Sequence, residues 1–201
     1  MLDHLLAGLV LFAFVSSVTP GPNNLMLMAS GANFGFRRTI PHMMGISIGF
    51  AAMTVVLGAG LARVFDALPP VYTVLKALAV AYMLWLAWKI ARSGPAQGGG
   101  AQARPMTFLQ AAAFQWVNPK AVAMAMTAIT AYTPDRGLAA VALVATIFAV
   151  VNLPSVGVWT VLGQQMARFL TSPRRLMAFN VTMALLLVTA IWPVMQAGPG
   201  L

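Results

Sequence analysis

Apolar residues fill the chain in long blocks, and the polar positions fall between the blocks rather than alternating with them. The blocks lie near 5–34, 40–62, 71–91, 107–132, 139–166 and 176–196. A helix needs roughly 20 apolar residues to cross a bilayer. The first block exceeds that: as one helix it would rise about 45 Å against about 30 Å of hydrocarbon. It is interrupted by Thr19-Pro20-Gly21-Pro22-Asn23-Asn24. Prolines at 20 and 22 flanking a glycine remove N–H donors and restrict the residues before them, so the helix breaks there. The fourth block carries a related interruption at Asn118-Pro119-Lys120. In lipid, broken backbone survives only where protein buries it or a hydrated cavity receives it. The pattern therefore predicts an all-α, polytopic helical membrane protein of about six spans, with spans 1 and 4 broken.

Composition agrees. The 201 residues are 60% hydrophobic and 7% charged, with a mean hydropathy of +0.84, where a soluble domain carries about a quarter charged residues. That length leaves no room for a second soluble domain, so 1–201 reads as a single transmembrane domain. A net charge of +9 raises the question of nucleic acid. The basic residues, however, sit between apolar blocks without a basic helix or an aromatic nucleic-acid motif, and topology explains them better. Arg37 and Arg38, then Lys89, Arg92 and Arg104, then Arg168, Arg174 and Arg175 mark every odd loop. The even loops balance Arg63 with Asp66 and Arg136 with Asp135. The positive-inside rule places the odd loops in the cytoplasm and both termini on the periplasmic side. Met1-Leu2-Asp3-His4 lacks the basic start of a signal peptide, so the first block reads as a retained span. The absence of cysteine excludes disulfides and thiolate metal sites.

Residues 93–106 form a Gly/Ala/Gln-rich linker between halves at about 1–92 and 107–201. The halves resemble each other. Pro22 with the segment after it matches Pro119 with its own, Val56-Leu57-Gly58 recurs as Val161-Leu162-Gly163, and Ala62-Arg63 recurs as Ala167-Arg168. Three spans per repeat is an odd number, so the second repeat must run inverted through the membrane. A 3+3 inverted repeat with broken helices in matching positions is a transporter arrangement, with its site near the midplane.

The chemistry gathers at the breaks. Helices restarting at Asn23 and Lys120 leave N–H groups unpaired and carry partial positive charge, which suits a carboxylate. The carbonyls before them, such as those of Val18 and Val117, suit an ammonium. The two together fit a zwitterion. The candidate substrate-binding residues are Thr19, Pro20, Gly21, Pro22, Asn23 and Asn24 in the first break, and Gln115, Asn118, Pro119 and Lys120 in the second. Asn152 and Pro154 in span 5 complete the set, with Pro154 kinking its helix to free a carbonyl. Ser155 and Trp159 share that part of the span. Lys120 is a deep charge that must pair with carbonyls or water, lose its proton, snorkel, or meet a substrate carboxylate. Lys76 snorkels. No Asp or Glu lies inside a span, which disfavours basic substrates and leaves His42 as the candidate for proton coupling. Asn180 reads as an interhelical hydrogen bond. Gly45-Ile46-Ser47-Ile48-Gly49 is a GxxxG that permits close approach of a helix from the same chain or from a second copy in a homo-oligomer. The methionines at 26, 28, 124 and 126 read as packing. There is no nucleophile elbow, no P-loop and no cofactor motif, so the sequence reads as a non-enzyme.

Thr19-Pro20-Gly21-Pro22-Asn23-Asn24-Leu25-Met26, Ala29-Ser30-Gly31 and Gly35-Phe36-Arg37-Arg38 resemble the LysE/RhtB family of bacterial amino-acid exporters. Gln115-Trp116-Val117-Asn118-Pro119-Lys120-Ala121 resembles that family's second signature. The resemblance implies an inner-membrane exporter of amino acids or small derivatives, driven by the proton or another ion gradient. It draws attention to Pro20 through Asn24 and to Asn118, Pro119 and Lys120. Lysine and arginine exporters of the wider family tend to carry an acid in span 2 near Ala52. Its absence here points to the homoserine, threonine and neutral amino-acid branch. The reading is a secondary exporter working by alternating access, with a small-solute channel or a non-transporting membrane scaffold as the alternatives.

Overall fold

A computed structural model describes residues 2–61, 69–93, 104–133, 137–192 and 195. The loop pairs Arg63–Asp66 and Asp135–Arg136, the repeat pair at Ala62-Arg63, most of the 93–106 linker and the side chain of Lys76 lie outside the described residues.

The described residues form eight α-helices. They are α1 (Leu2–Val18), α2 (Pro22–Phe34), α3 (Phe36–Val56, continued by a π-helical turn Leu57–Leu61), α4 (Pro69–Ala91), α5 (Phe108–Phe114, continued by a 3-10 turn Gln115–Val117), α6 (Pro119–Tyr132), α7 (Leu138–Met166) and α8 (Pro173–Thr189). Both expected breaks are present. Pro22 and Pro119 each occupy the first turn of the restarting helix, where a missing N–H costs nothing. Each follows a non-helical residue, Gly21 in one break and Asn118 in the other. The first break bends α1 and α2 by 54°. Among the described residues two helices, Phe36–Gly60 and Leu138–Met166, are long and apolar enough to cross a membrane, and the bent pair makes a third if it is a single span. In α4 the stretch Ala77–Ala91 is apolar but shorter. The block at 107–132 is divided into helices of 7 and 14 residues, so neither piece alone reaches spanning length.

Small residues set the packing. A Cβ on Gly163 would lie 2.0 Å from the Met28 carbonyl oxygen, and one on Gly31 would lie 2.1 Å from that of Thr160. Thus α2 and α7 cross backbone to backbone. The GxxxG of α3 is used within the chain, because a Cβ on Gly45 would meet the Phe108 carbonyl at 2.3 Å and one on Gly49 would meet Ala112 Cα at 2.5 Å. In lipid such contacts are stabilised by dispersion, since the solvent is as apolar as the helix. Gly35, with φ of 78°, turns the chain sharply from α2 into α3.

One end of the bundle collects the basic loops. The Phe36 amide donates to Gln164 Oε1 at 2.6 Å, joining the start of α3 to the end of α7. Asn33 and Asn180 exchange side-chain bonds of 2.8 and 3.2 Å, and Asn180 Nδ2 also donates to the Ser93 carbonyl at 2.6 Å. Asn180 is therefore an interhelical hydrogen bond, as expected. Arg38, Lys89 and Arg92 lie over the rings of Phe34, Trp85 and Trp88 at this end. From the first break α2 runs toward it. From the second break α6 runs away, and Tyr132 reaches α1 beside Gly8 and Phe12. The two restarted helices thus begin together inside the bundle and diverge.

Candidate functional site

The two breaks meet. Asn23 and Lys120 follow Pro22 and Pro119 and hold matching places at the starts of α2 and α6. Each reaches into the other break. Asn23 Nδ2 donates to Gln115 Oε1 at 2.8 Å, and Gln115 Nε2 returns a bond of 3.3 Å to Asn23 Oδ1. Lys120 Nζ donates to the Thr19 carbonyl at 2.6 Å, the Thr19 hydroxyl at 2.9 Å and the Pro20 carbonyl at 3.3 Å. Of the fates open to this lysine, pairing with carbonyls is the one observed. Gly21 makes room for it, since a Cβ there would stand 2.6 Å from Lys120 Cδ.

The unwound carbonyls are occupied from several directions. Asn24 Nδ2 caps those of Ser17 at 2.9 Å and Thr19 at 2.7 Å. The Trp159 indole donates to the Val18 carbonyl at 3.0 Å, so in this conformation α7 supplies the donor that the sequence reading assigned to a substrate ammonium. The indole also ties α7 to the end of α1. Trp159→Phe is expected to leave Val18 O unpaired and to cost about 1–3 kcal/mol. A lowered thermal midpoint of the purified protein in detergent would register that loss. Asn152 lies between two hydroxyls: its Nδ2 donates to Ser17 Oγ at 3.4 Å, and Ser47 Oγ donates to its Oδ1 at 3.3 Å.

These groups frame an open pocket of about 310 Å³, part of which is continuous with solvent. Gly21, Asn23, Asn24, Asn118, Lys120 and Asn152 line it, with Phe50 of α3 in its wall. Asn118 is 2% exposed, and its Oδ1 is buried without a hydrogen-bond partner among the described residues. An oxygen so placed is an open position for a donor from a ligand or water. Two helix starts and an ammonium give the pocket positive polarity, while the nearby carbonyls and Asn118 Oδ1 give it acceptors.

Pro154 does not join this site. It is exposed on the outer side of α7, while Asn152 and Ser155 on either side of it are buried. Helical geometry explains the separation, since residues two apart on a helix do not face the same way. His42 is also elsewhere: it is 1% exposed and lines a different cavity, toward the basic end. Ala52 is exposed as well, and Phe50 is the α3 residue that reaches the pocket. The sequence reading missed Ser17 and the pocket role of Phe50. Ser17 could have been found from its position just before the break, whereas nothing local marks Phe50.

Polar helix ends meeting inside an apolar bundle define a membrane transport protein. Comparison with known proteins makes that specific. A family model described as LysE type translocator matches residues 14–191. A cysteine/O-acetylserine efflux protein of Escherichia coli (strain K12) is 31% identical over 191 residues, covering 94% of this chain and 96% of that protein. The protein so described from Shigella flexneri is 32% identical over the same length and coverage. No solved structure matches. The chain belongs to the LysE-type translocator family and is a transporter rather than an enzyme.

Proposed function

We propose that this protein is a secondary exporter of small neutral amino acids or their derivatives in the bacterial inner membrane. The observation that carries the proposal is the head-to-head meeting of α2 and α6 around Lys120 and Asn118. A carboxylate fits the helix starts and the lysine ammonium, and an amine fits the Asn118 oxygen and the carbonyls near it. The absence of Asp and Glu from the spans favours a neutral zwitterion over lysine or arginine. The related efflux proteins make cysteine and O-acetylserine the first substrates to examine. Homoserine and threonine have the same compact, neutral form.

The 3+3 inverted arrangement is part of this proposal. Its support is the matched placing of Pro22 and Pro119, the opposite courses of α2 and α6, and a pair of equivalent contacts, α1 against α7 and α5 against α3. Six spans follow if the two broken pairs and α4 and α8 cross together with α3 and α7. The basic end then faces the cytoplasm and both termini the periplasm. Alternating access comes from one repeat rocking against the other, with the proton or another ion gradient as the driving force. His42 is the candidate proton carrier, from a position outside the central pocket.

Proteoliposomes containing only this chain test the proposal. Unlabelled amino acid on the far side is expected to accelerate uptake of the labelled compound for cysteine, O-acetylserine, homoserine or threonine, but not for lysine. An imposed pH gradient should drive net movement. Flux without trans-stimulation would indicate a pore, and no flux would indicate a scaffold. Asn118→Ala is expected to abolish exchange with insertion intact. Asn24→Ala is expected to do the same while also releasing the Ser17 and Thr19 carbonyls.

A further inference from the structure

The basic end holds a second, open pocket of about 410 Å³, part of which is continuous with solvent. Its polar wall includes Asn33, His42, Lys89, Ser93 and Arg104. Its apolar wall includes Met26, Leu86 and Met106. His42 is fully enclosed, yet both ring nitrogens lack a hydrogen-bond partner among the described residues. The nearby Ser30 and Thr39 hydroxyls are already engaged, with each other at 2.9 Å, and Thr39 also donates to the Gly35 carbonyl at 2.8 Å. A buried histidine with both nitrogens unmet calls for a ligand or water that satisfies them.

A neutral imidazole presents one donor and one acceptor. An amino-acid zwitterion presents the complement, a carboxylate to accept and an ammonium to donate. Lys89 adds a charge of the sign a carboxylate needs, and the Met26–Leu86–Met106 wall suits a short side chain. Between this cavity and the central pocket lies an apolar layer. Met26 lines the outer cavity, Val156 lines the central pocket, and Met43 packs in the same core between α2, α3 and α7. We propose that the cavity at the basic end is a second amino-acid site, in which His42 and Lys89 hold the zwitterion before the Met26–Met43–Val156 layer opens to the central pocket. The proposal rests on the exporter reading for the identity of its ligand, and the experiment below separates the two.

The chain contains no cysteine, so one introduced thiol reports on one place. Ser93→Cys puts it in the cavity wall of the full-length protein. Labelling by a hydrophilic maleimide is followed on the purified protein in detergent, with and without O-acetylserine, which carries no thiol to consume the reagent. O-Acetylserine is expected to slow labelling at least threefold. His42→Phe and Lys89→Gln, each made in the Ser93→Cys background, should each remove that protection. Asn118→Ala, which acts on the central pocket, should leave it in place. Four results would overturn the proposal: no labelling of Ser93→Cys, no protection, protection lost with Asn118→Ala alone, or equal protection by inorganic phosphate, which would mark a general anion site. Should His42→Phe fail to fold, Lys89→Gln carries the comparison. Protection without trans-stimulated exchange in liposomes would sink the exporter reading and keep the site. Exchange without protection would do the reverse.

Discussion

Lys120→Met is expected to lower trans-stimulated amino-acid exchange by about 10- to 100-fold while leaving the yield of folded protein unchanged. The lysine amine is shared among the Thr19 carbonyl, the Thr19 hydroxyl and the Pro20 carbonyl. Hydrogen bonds to a charged group contribute roughly 1.5–3 kcal/mol, and each 1.4 kcal/mol is a factor of ten. The Thr19 carbonyl keeps Asn24 as a partner and lies near the surface, so the fold tolerates the loss. Transport loses the one cation among the described residues that line the central pocket. Gly21→Ala should reproduce much of the defect without touching the amine, because its new Cβ would fall 2.6 Å from Lys120 Cδ and push the side chain aside. If both act through the position of one ammonium, the double variant is expected to be little worse than the worse single one. Additive losses measured in the same exchange assay would show that they act separately.

Gly163→Val is expected to prevent accumulation of folded protein. The first added carbon would stand 2.0 Å from the Met28 carbonyl oxygen and 2.8 Å from its carbon, both backbone atoms that no rotamer change can move. Forcing α2 from α7 also disturbs the start of α2, where Asn23 and Asn24 make their bonds. Overpacking commonly costs about 1–3 kcal/mol, and a backbone clash belongs at or above the top of that range. Gly157→Ala, on the same helix, is the control. Its Cβ would meet only the flexible end of Met43 at 3.4 Å, and wild-type yield is expected. Monodispersity in detergent and the thermal midpoint of whatever is recovered would separate the two. Equal behaviour would mean that the α2–α7 crossing is not the tight contact described.

The breaks were legible because their cause is local. Pro22 and Pro119 forbid a continuous helix whatever surrounds them, and a proline at a helix start is the natural result. That Lys120 would need partners was also readable, since it lies within an apolar block. Its partners were not, because a carbonyl in the other break becomes a neighbour only after the helices have chosen their faces. The same holds for Asn23 with Gln115 and for Trp159 with the Val18 carbonyl. Pro154 enters the sequence reading through the carbonyl its kink would free, but its ring lies on the exposed face of α7 and helical rotation sends it and Asn152 to different sides. Asn180 was read correctly as a bond between helices, although neither of its partners, Asn33 and Ser93, was identified in advance.

The glycine face of α3 has a bearing on assembly. Gly45 and Gly49 already press against α5 of their own chain, so that seam is closed to a neighbouring protomer. What α3 turns outward instead is a smooth aliphatic strip of Ile48, Ala52 and Val55. Lipid tails wet such a strip as well as a protein would. A quaternary contact cannot use the α3 glycines as they stand, and replacing them would disrupt the monomer's own architecture before it reported on a dimer.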